Sequence, residues 1–165
     1  MPANFSWVIP KLLAGFAMPG LGGGVTEELA SIRRRGIRWL VSLNPEAAGF
    51  GPACAAADLA WEYFPIPEFD VPEDEGAFGL LVERLLGRMA SGQAVGVHCY
   101  AGVGRSGLLL ACLLGRRLGL PGAEAVRRLR RLRPAIETSE QEQFVHRYLQ
   151  RTRPRGGGPG RASPP

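Results

Sequence analysis

Apolar residues in this chain come in short runs separated by Gly, Pro and charged clusters. Residues 5–9 and 12–16 are β-like runs broken by Pro10, the pattern of an opening hairpin or edge strand. Thr26 reads as a helix N-cap, with Glu27 and Glu28 in the first turn and Arg33, Arg34 and Arg35 in the last turn before Gly36, a charge order that suits the helix dipole. Residues 37–43 thicken into a buried strand, and a Pro/Gly/Ala-rich connection containing Cys54 follows. Residues 59–66 form a further strand that runs into an acidic, Pro-punctuated loop, 67–72. Ala77, Leu80, Leu81, Leu85 and Met89 then recur at helical spacing up to Gly92, and residues 94–97 make a short strand aimed at His98 and Cys99. Helices are expected at about 106–118, 123–131 and 139–150. Strands alternating with helices predict an α/β domain.

Composition and charge narrow the picture. With 165 residues, 45% of them apolar, the chain fits one domain, placed at 1–151, and its 23 Gly and 14 Pro gather around the apolar runs and at the C-terminus. Residues 152–165 are expected to be a disordered Arg/Gly/Pro-rich tail. The net charge of +5 comes from that end: from Arg147 onward there are five Arg and no acid, so the rest of the chain is neutral. A neutral domain argues against a nucleic-acid-binding face, and no stable nucleic-acid partner is expected. The arginines at 127, 128, 130, 131 and 133 read as the solvated face of a helix. Three unevenly spaced Cys and two His predict neither a disulfide framework nor a metal site, and favour a reducing, cytoplasmic setting. The longest apolar stretch, 107–115, falls short of the roughly 20 residues that span a bilayer, and residues 1–7 lack the basic start of a secretory signal. The expectation is a monomer that engages no membrane.

The chemistry concentrates in residues 97–107, between a predicted strand and a predicted helix. Backbone N–H groups at a helix start lack intrahelical partners, and Gly102 and Gly104 let the chain curl so that several converge on one anion. Residues Tyr100, Ala101, Gly102, Val103 and Gly104 thus make a phosphate-sized nest, to which Arg105 adds a guanidinium able to take two phosphate oxygens. Cys99 at its mouth is the candidate nucleophile, because the same N–H groups and dipole favour thiolate over thiol. His98 is expected to fix the loop through backbone hydrogen bonding, and Ser106 to donate a hydroxyl hydrogen bond to the sulfur when it leaves a phosphocysteine. Gly102, Gly104 and Gly107 also satisfy the GxGxxG dinucleotide pattern, but residues 108–131 read as helix, turn and helix, with no strand to end in a ribose-binding acid.

His98-Cys99, five residues, then Arg105-Ser106 resembles the HCxxGxxR(S/T) signature of the cysteine-dependent protein tyrosine and dual-specificity phosphatases. Residues 4–8, 13–15, 40–43, 94–99, 132–134 and 136–138 extend the likeness to the small atypical dual-specificity phosphatases of the 23 type, over about residues 4–151. The resemblance implies a protein tyrosine phosphatase-like fold, with a central, mostly parallel sheet flanked by helices, and catalysis without cofactor or metal. It also implies a carboxylic acid on a loop roughly 30 residues before the Cys, to protonate the leaving oxygen. Where relatives read Ile-Pro-Asp this chain reads Ile66-Pro67-Glu68, so Glu68 holds the aligned position and Asp70 is a second candidate. Glu137 is a third acid for the pocket, and Gln141 a candidate for positioning the hydrolytic water.

The implied activity is hydrolysis of phosphotyrosine, and of phosphoserine or phosphothreonine as a wider range, in a phosphoprotein substrate. Residues 100–104 hold no Lys, whereas phosphoinositide phosphatases of the superfamily commonly carry lysines there, which favours the phosphoprotein. An RNA 5′-phosphatase of the same superfamily and a catalytically weak phosphate-binding scaffold module are the alternatives.

Overall fold

The computed structural model describes residues 1–153 and shows five strands in one sheet with helices on both faces. A hairpin of β1 (Ser6–Ile9) and β2 (Leu13–Ala17) opens the chain, and α1 (Val25–Arg34) leads to β3 (Ile37–Ser42). A short α2 (Gly51–Ala56) precedes β4 (Ala60–Tyr63), then come α3 (Glu75–Ala90), β5 (Ala94–Cys99), α4 (Gly104–Leu118), α5 (Gly122–Leu132) and α6 (Ser139–Thr152). The strand order is β1-β2-β5-β3-β4, with β1 antiparallel to β2 and every other pairing parallel.

Period-2 alternation divides the core. Leu13, Val41 and Val95 face the larger apolar cluster with α3 to α6, while their neighbours Ala14, Leu40 and Ala94 face the smaller one with α1 and α2. Every residue of α4 from Gly104 to Gly115 is buried, because α4 packs on the sheet and is flanked by α3, α5 and α6. That explains why residues 107–115 are apolar on all sides. Glycine permits the contact on one flank: a Cβ at Gly107 would stand 2.7 Å from the Ile136 backbone nitrogen.

Local expectations met three corrections. The N-cap of α1 is Gly24, whose carbonyl accepts the first helical bond from Glu28 N–H at 3.1 Å, so Thr26 lies inside the first turn. The Gly/Pro/Ala-rich connection contains a 3₁₀ turn at Pro45–Ala47 as well as α2; six residues are too few to show a helical period, and Pro52 is tolerated because the first-turn N–H has no partner to lose. Finally, α6 runs to Thr152, one residue into the segment expected as tail; the remainder of that tail, from 154 to 165, lies outside the described residues.

Parallel pairing sets the carboxyl ends of β2, β5, β3 and β4 along one edge of the sheet. In open α/β sheets that edge is where ligands bind. It gathers Ala17, Cys99, Ser42 and Tyr63 with the loops that follow them.

Candidate active site

β5 delivers Cys99 to this edge, and α4 starts five residues later at Gly104. Between them the chain turns tightly at Gly102, whose φ is +75° and where a Cβ would stand 2.5 Å from the Phe16 carbonyl. Only glycine satisfies both the left-handed backbone and the close approach of β2. Among the described residues, none of the amide N–H groups of residues 100–103 donates to a backbone or side-chain acceptor. They are free to meet a ligand, as an anion cradle requires.

The side chains around the cradle are nearly inaccessible. Cys99 is 2% exposed and Arg105 5%. Cys99 Sγ lies 3.4 Å from Ser106 Oγ, and Arg105 Nη1 donates to the Ile66 carbonyl at 3.2 Å. A buried guanidinium needs partners, and this bond fixes Arg105 between the phosphate loop and the segment that carries Glu68 and Asp70.

His98 lies fully buried between Phe16 and Phe50, and desolvation pulls its pKa down to about 4, so the ring is neutral at ordinary pH. Its tautomer follows from its neighbours. Nδ1 is 3.2 Å from the Cys99 carbonyl, which only accepts, so Nδ1 carries the proton. Nε2 then accepts from the Ser42 hydroxyl at 2.7 Å, and Ser42 Oγ accepts from Trp61 Nε1–H at 2.9 Å. The expected backbone bond of His98 is present, at the far end of a chain of three side chains drawn from β5, β3 and β4.

The acids are placed differently from one another. Glu68 and Asp70 are both exposed, on either side of Phe69, which is 57% exposed with φ +60°. The Asp70 carboxylate accepts from Val71 N–H at 2.8 Å, and the Asp70 carbonyl accepts from Gln141 Nε2 at 3.1 Å. The structure brings Glu137 to the loop: its carboxylate meets the position a Cβ at Gly104 would take. Gln141 is buried, its Oε1 accepting from the N–H groups of Glu137 at 2.9 Å and Thr138 at 3.3 Å, as the N3 member of the capping box that opens α6. Its amide is thus engaged at both ends, joining the acid loop to the start of α6.

Several residues at this edge lay beyond sequence reasoning. Asn44, fully buried, donates to Glu46 Oε2 at 2.8 Å; that bond, a backbone N–H and the charge of Arg105 hold the Glu46 carboxyl below the usual range. Ser42 and Trp61 sit in strands whose apolar pattern gave no hint of a polar role. Arg133 departs from the solvated face expected for the arginine run: α5 ends at Leu132, the backbone turns extended, and the Arg133 side chain points inward, 4% exposed.

Residues 2–145 match the family model described as PTP-SAK, Swiss Army Knife protein, DSP-PTPase phosphatase domain. Dual specificity protein phosphatase 12 of Homo sapiens is 32% identical over 127 residues, covering 74% of this chain and 37% of that protein. Putative tyrosine phosphatase 067L of Invertebrate iridescent virus 3 is 28% identical over 97 residues, covering 57% of this chain and 40% of that protein. The chain thus matches well under half the length of these two relatives. Among solved structures, Tk-PTP in the active form has a TM-score of 0.79 at 26% identity, covering 92% of this chain and 99% of that one. Kinase associated phosphatase, with serine substituted for its catalytic-site cysteine, has a TM-score of 0.80 at 22% identity over 92% and 96% of the two chains, a likeness of fold. A five-stranded, mostly parallel sheet flanked by helices, with a cysteine and an arginine bracketing an open amide loop, is the protein tyrosine phosphatase-like architecture, and the chain belongs to the DSP-PTPase phosphatase domain family of the Swiss Army Knife proteins.

Proposed function

We propose that the domain hydrolyses phosphate monoesters of phosphotyrosine type in phosphoproteins through a phosphocysteine intermediate. The observation that supports this reading is that Cys99 is followed directly by residues 100–103, whose N–H groups donate to no acceptor among the described residues, with Ser106 Oγ 3.4 Å from its sulfur. In the first step the Cys99 thiolate attacks phosphorus, forming the P–S bond as the ester P–O bond breaks, and Glu68 or Asp70 gives its proton to the departing oxygen. The amides and Arg105 hold the equatorial oxygens, an electrostatic arrangement already in place before reaction. In the second step a water attacks phosphorus, its proton passes to the carboxylate left by the first step, and the P–S bond breaks to return the thiolate. Ser106 stabilises that sulfur through its hydroxyl.

Arg105 and the amides neutralise the phosphoryl charge, so the mechanism assigns no role to a metal or cofactor. The three cysteines of the chain are free thiols, which suits a reducing compartment such as the cytoplasm. Among the described residues no helix is long and apolar enough to cross a membrane. PTPMT1, a structural neighbour with a TM-score of 0.74 at 18% identity, was solved in complex with PI(5)P; the absence of Lys from residues 100–104 here favours the phosphoprotein over such a lipid.

Turnover of p-nitrophenyl phosphate with chelator present tests the reading. Wild type should be active, Cys99→Ser should fall to background, and Arg105→Lys should lose about a hundredfold or more because an ammonium does not reproduce the planar fork. Wild-type inactivity across pH 4 to 8 would overturn it in favour of a phosphate-binding module. A panel of phosphotyrosyl, phosphoseryl and phosphothreonyl peptides, a phosphoinositide and a 5′-phosphorylated RNA then ranks the substrate classes.

A further inference from the structure

In a trans peptide the carbonyl and the N–H of the next residue point in opposite directions, so a carbonyl tied from outside the loop aims the following N–H inward. The carbonyls from Cys99 to Val103 are all tied. That of Cys99 is 3.2 Å from His98 Nδ1, that of Tyr100 accepts from Met18 N–H at 2.9 Å, and that of Val103 accepts from Gly107 N–H at 2.9 Å and Ile136 N–H at 3.1 Å. The carbonyls of Ala101 and Gly102 receive side chains instead. Asn4 Nδ2 lies 3.4 Å from the Ala101 oxygen and 3.2 Å from the Gly102 oxygen, and Arg133 Nη2 donates to the Gly102 oxygen at 2.6 Å.

We propose that Asn4 and Arg133 are positioning residues for the anion cradle, a two-sided clamp on the Ala101 and Gly102 carbonyls that turns the N–H groups of Gly102 and Val103 toward the bound phosphoryl group. The inference deepens the phosphatase reading and rests on it. Both act on the carbonyl oxygens of the loop's peptides. Two donors use both lone pairs of the Gly102 oxygen, and one of them is charged. A cation on the carbonyl also polarises its peptide, making the Val103 N–H the stronger donor.

The surroundings fix the Arg133 side chain and the backbone that carries Asn4. Arg133 Nη1 donates to Ser6 Oγ at 2.9 Å, and Gly15 clears the guanidinium's path, since a Cβ there would collide with Nη1. Asn4 occupies the left-handed region at φ +56°, which asparagine tolerates better than most residues, and Ala17 N–H donates to the Ala3 carbonyl at 2.9 Å, strapping the amino-terminal segment across β2. Three distant segments, 3–6, 15–17 and 133, meet on one turn of the phosphate loop.

The test uses the full chain and two readouts: p-nitrophenyl phosphate turnover, and orthovanadate affinity measured as thermal stabilisation. Asn4→Ala should weaken vanadate binding and lower kcat about tenfold, and Arg133→Met about a hundredfold, the scale of losing preorganised donors. Arg133→Lys, which keeps one charged donor, should fall between Arg133→Met and wild type. A role confined to folding predicts a lower melting temperature with kcat and vanadate affinity per folded molecule unchanged. The clamp is overturned if Asn4→Ala and Arg133→Met both keep kcat and vanadate affinity within about twofold of wild type, smaller than one preorganised donor is worth. Should Arg133→Met not fold, Asn4→Ala decides alone, since its side chain is exposed. A wild type that binds vanadate without turnover overturns the phosphatase reading, while the vanadate arm still judges the clamp.

Discussion

Arg105 Nη1 donates to the carbonyl of Ile66 across 39 positions of sequence, at 3.2 Å. The arginine proposed to bind phosphate is thereby tied to the residue two before Glu68. Gln141 pins the far end of the same segment through the Asp70 carbonyl at 3.1 Å. The acid loop is thus held at both ends, and its geometry relative to the cradle is set by those two bonds together with the turn that Asp70 N–H makes to the Pro67 carbonyl at 3.2 Å.

Between those anchors we propose Glu68 as the general acid. The Asp70 carboxylate is committed to Val71 N–H, whereas no hydrogen bond holds that of Glu68 among the described residues. Glu68→Gln should slow hydrolysis of an aryl phosphate with a poor leaving group by about a hundredfold and leave an activated ester less affected. Asp70→Asn should cost far less. The reverse ranking in steady-state rates moves the role to Asp70, and indifference to both substitutions removes the acid from the first step.

We propose that Ser106 serves the second step. Its hydroxyl is within reach of the sulfur that must leave, so Ser106→Ala should slow breakdown of the phosphocysteine about tenfold or more while phosphorylation of Cys99 continues. Rapid quench with radiolabelled phosphate ester should then trap the phosphoenzyme. A variant with no burst and unchanged kcat contradicts the assignment.

The three cysteines should separate by reactivity. Burial pushes the Cys54 thiol up to about 11 and raises that of Cys112 further, so both stay protonated and inert at neutral pH. Iodoacetate should therefore label Cys99 in preference to both, and orthovanadate should protect it. Peptide mapping by mass spectrometry that finds Cys54 labelled equally would sink the selectivity.

His98 should make the fold sensitive to acid. Its pKa is lowered on folding, from an ordinary 6.5 to about 4, because burial disfavours the cation. Between those values the unfolded chain binds a proton that the folded one does not, so stability from this group is full above about pH 6.5 and is lost as pH falls toward 4. The loss between pH 7 and pH 5 amounts to about 2 kcal/mol. Urea denaturation at the two pH values measures it, and a folded His98→Asn variant should show a flatter dependence. An unchanged slope in that variant removes His98 as the cause.

How much of this was legible in the chain follows from the distance over which each feature is built. The candidate phosphate loop is local: eleven consecutive residues, 97–107, contain the candidate nucleophile, the turn glycines, the arginine and the hydroxyl, at the junction of β5 and α4. The alternation of strands and helices, the burial of α4 and the acid-bearing loop were likewise local patterns of period 2, period 3.6 or Pro punctuation. The short α2 escaped because six residues carry too little periodicity, and the start of α1 shifted because a glycine with no side chain can cap a helix as well as a threonine two residues on.

What only the tertiary structure decided is which distant groups meet that loop. Asn4 and Arg133 lie 98 and 31 residues from the carbonyl they share, and Ser42 lies 56 from the histidine whose tautomer it sets. Pro134 marks Arg133 as the residue where the helix has ended, but nothing local says that its guanidinium turns inward while the four on α5 face water. Packing of β1, β2 and α5 against the back of the loop made that choice, because a buried carbonyl without a backbone donor must find a side-chain one.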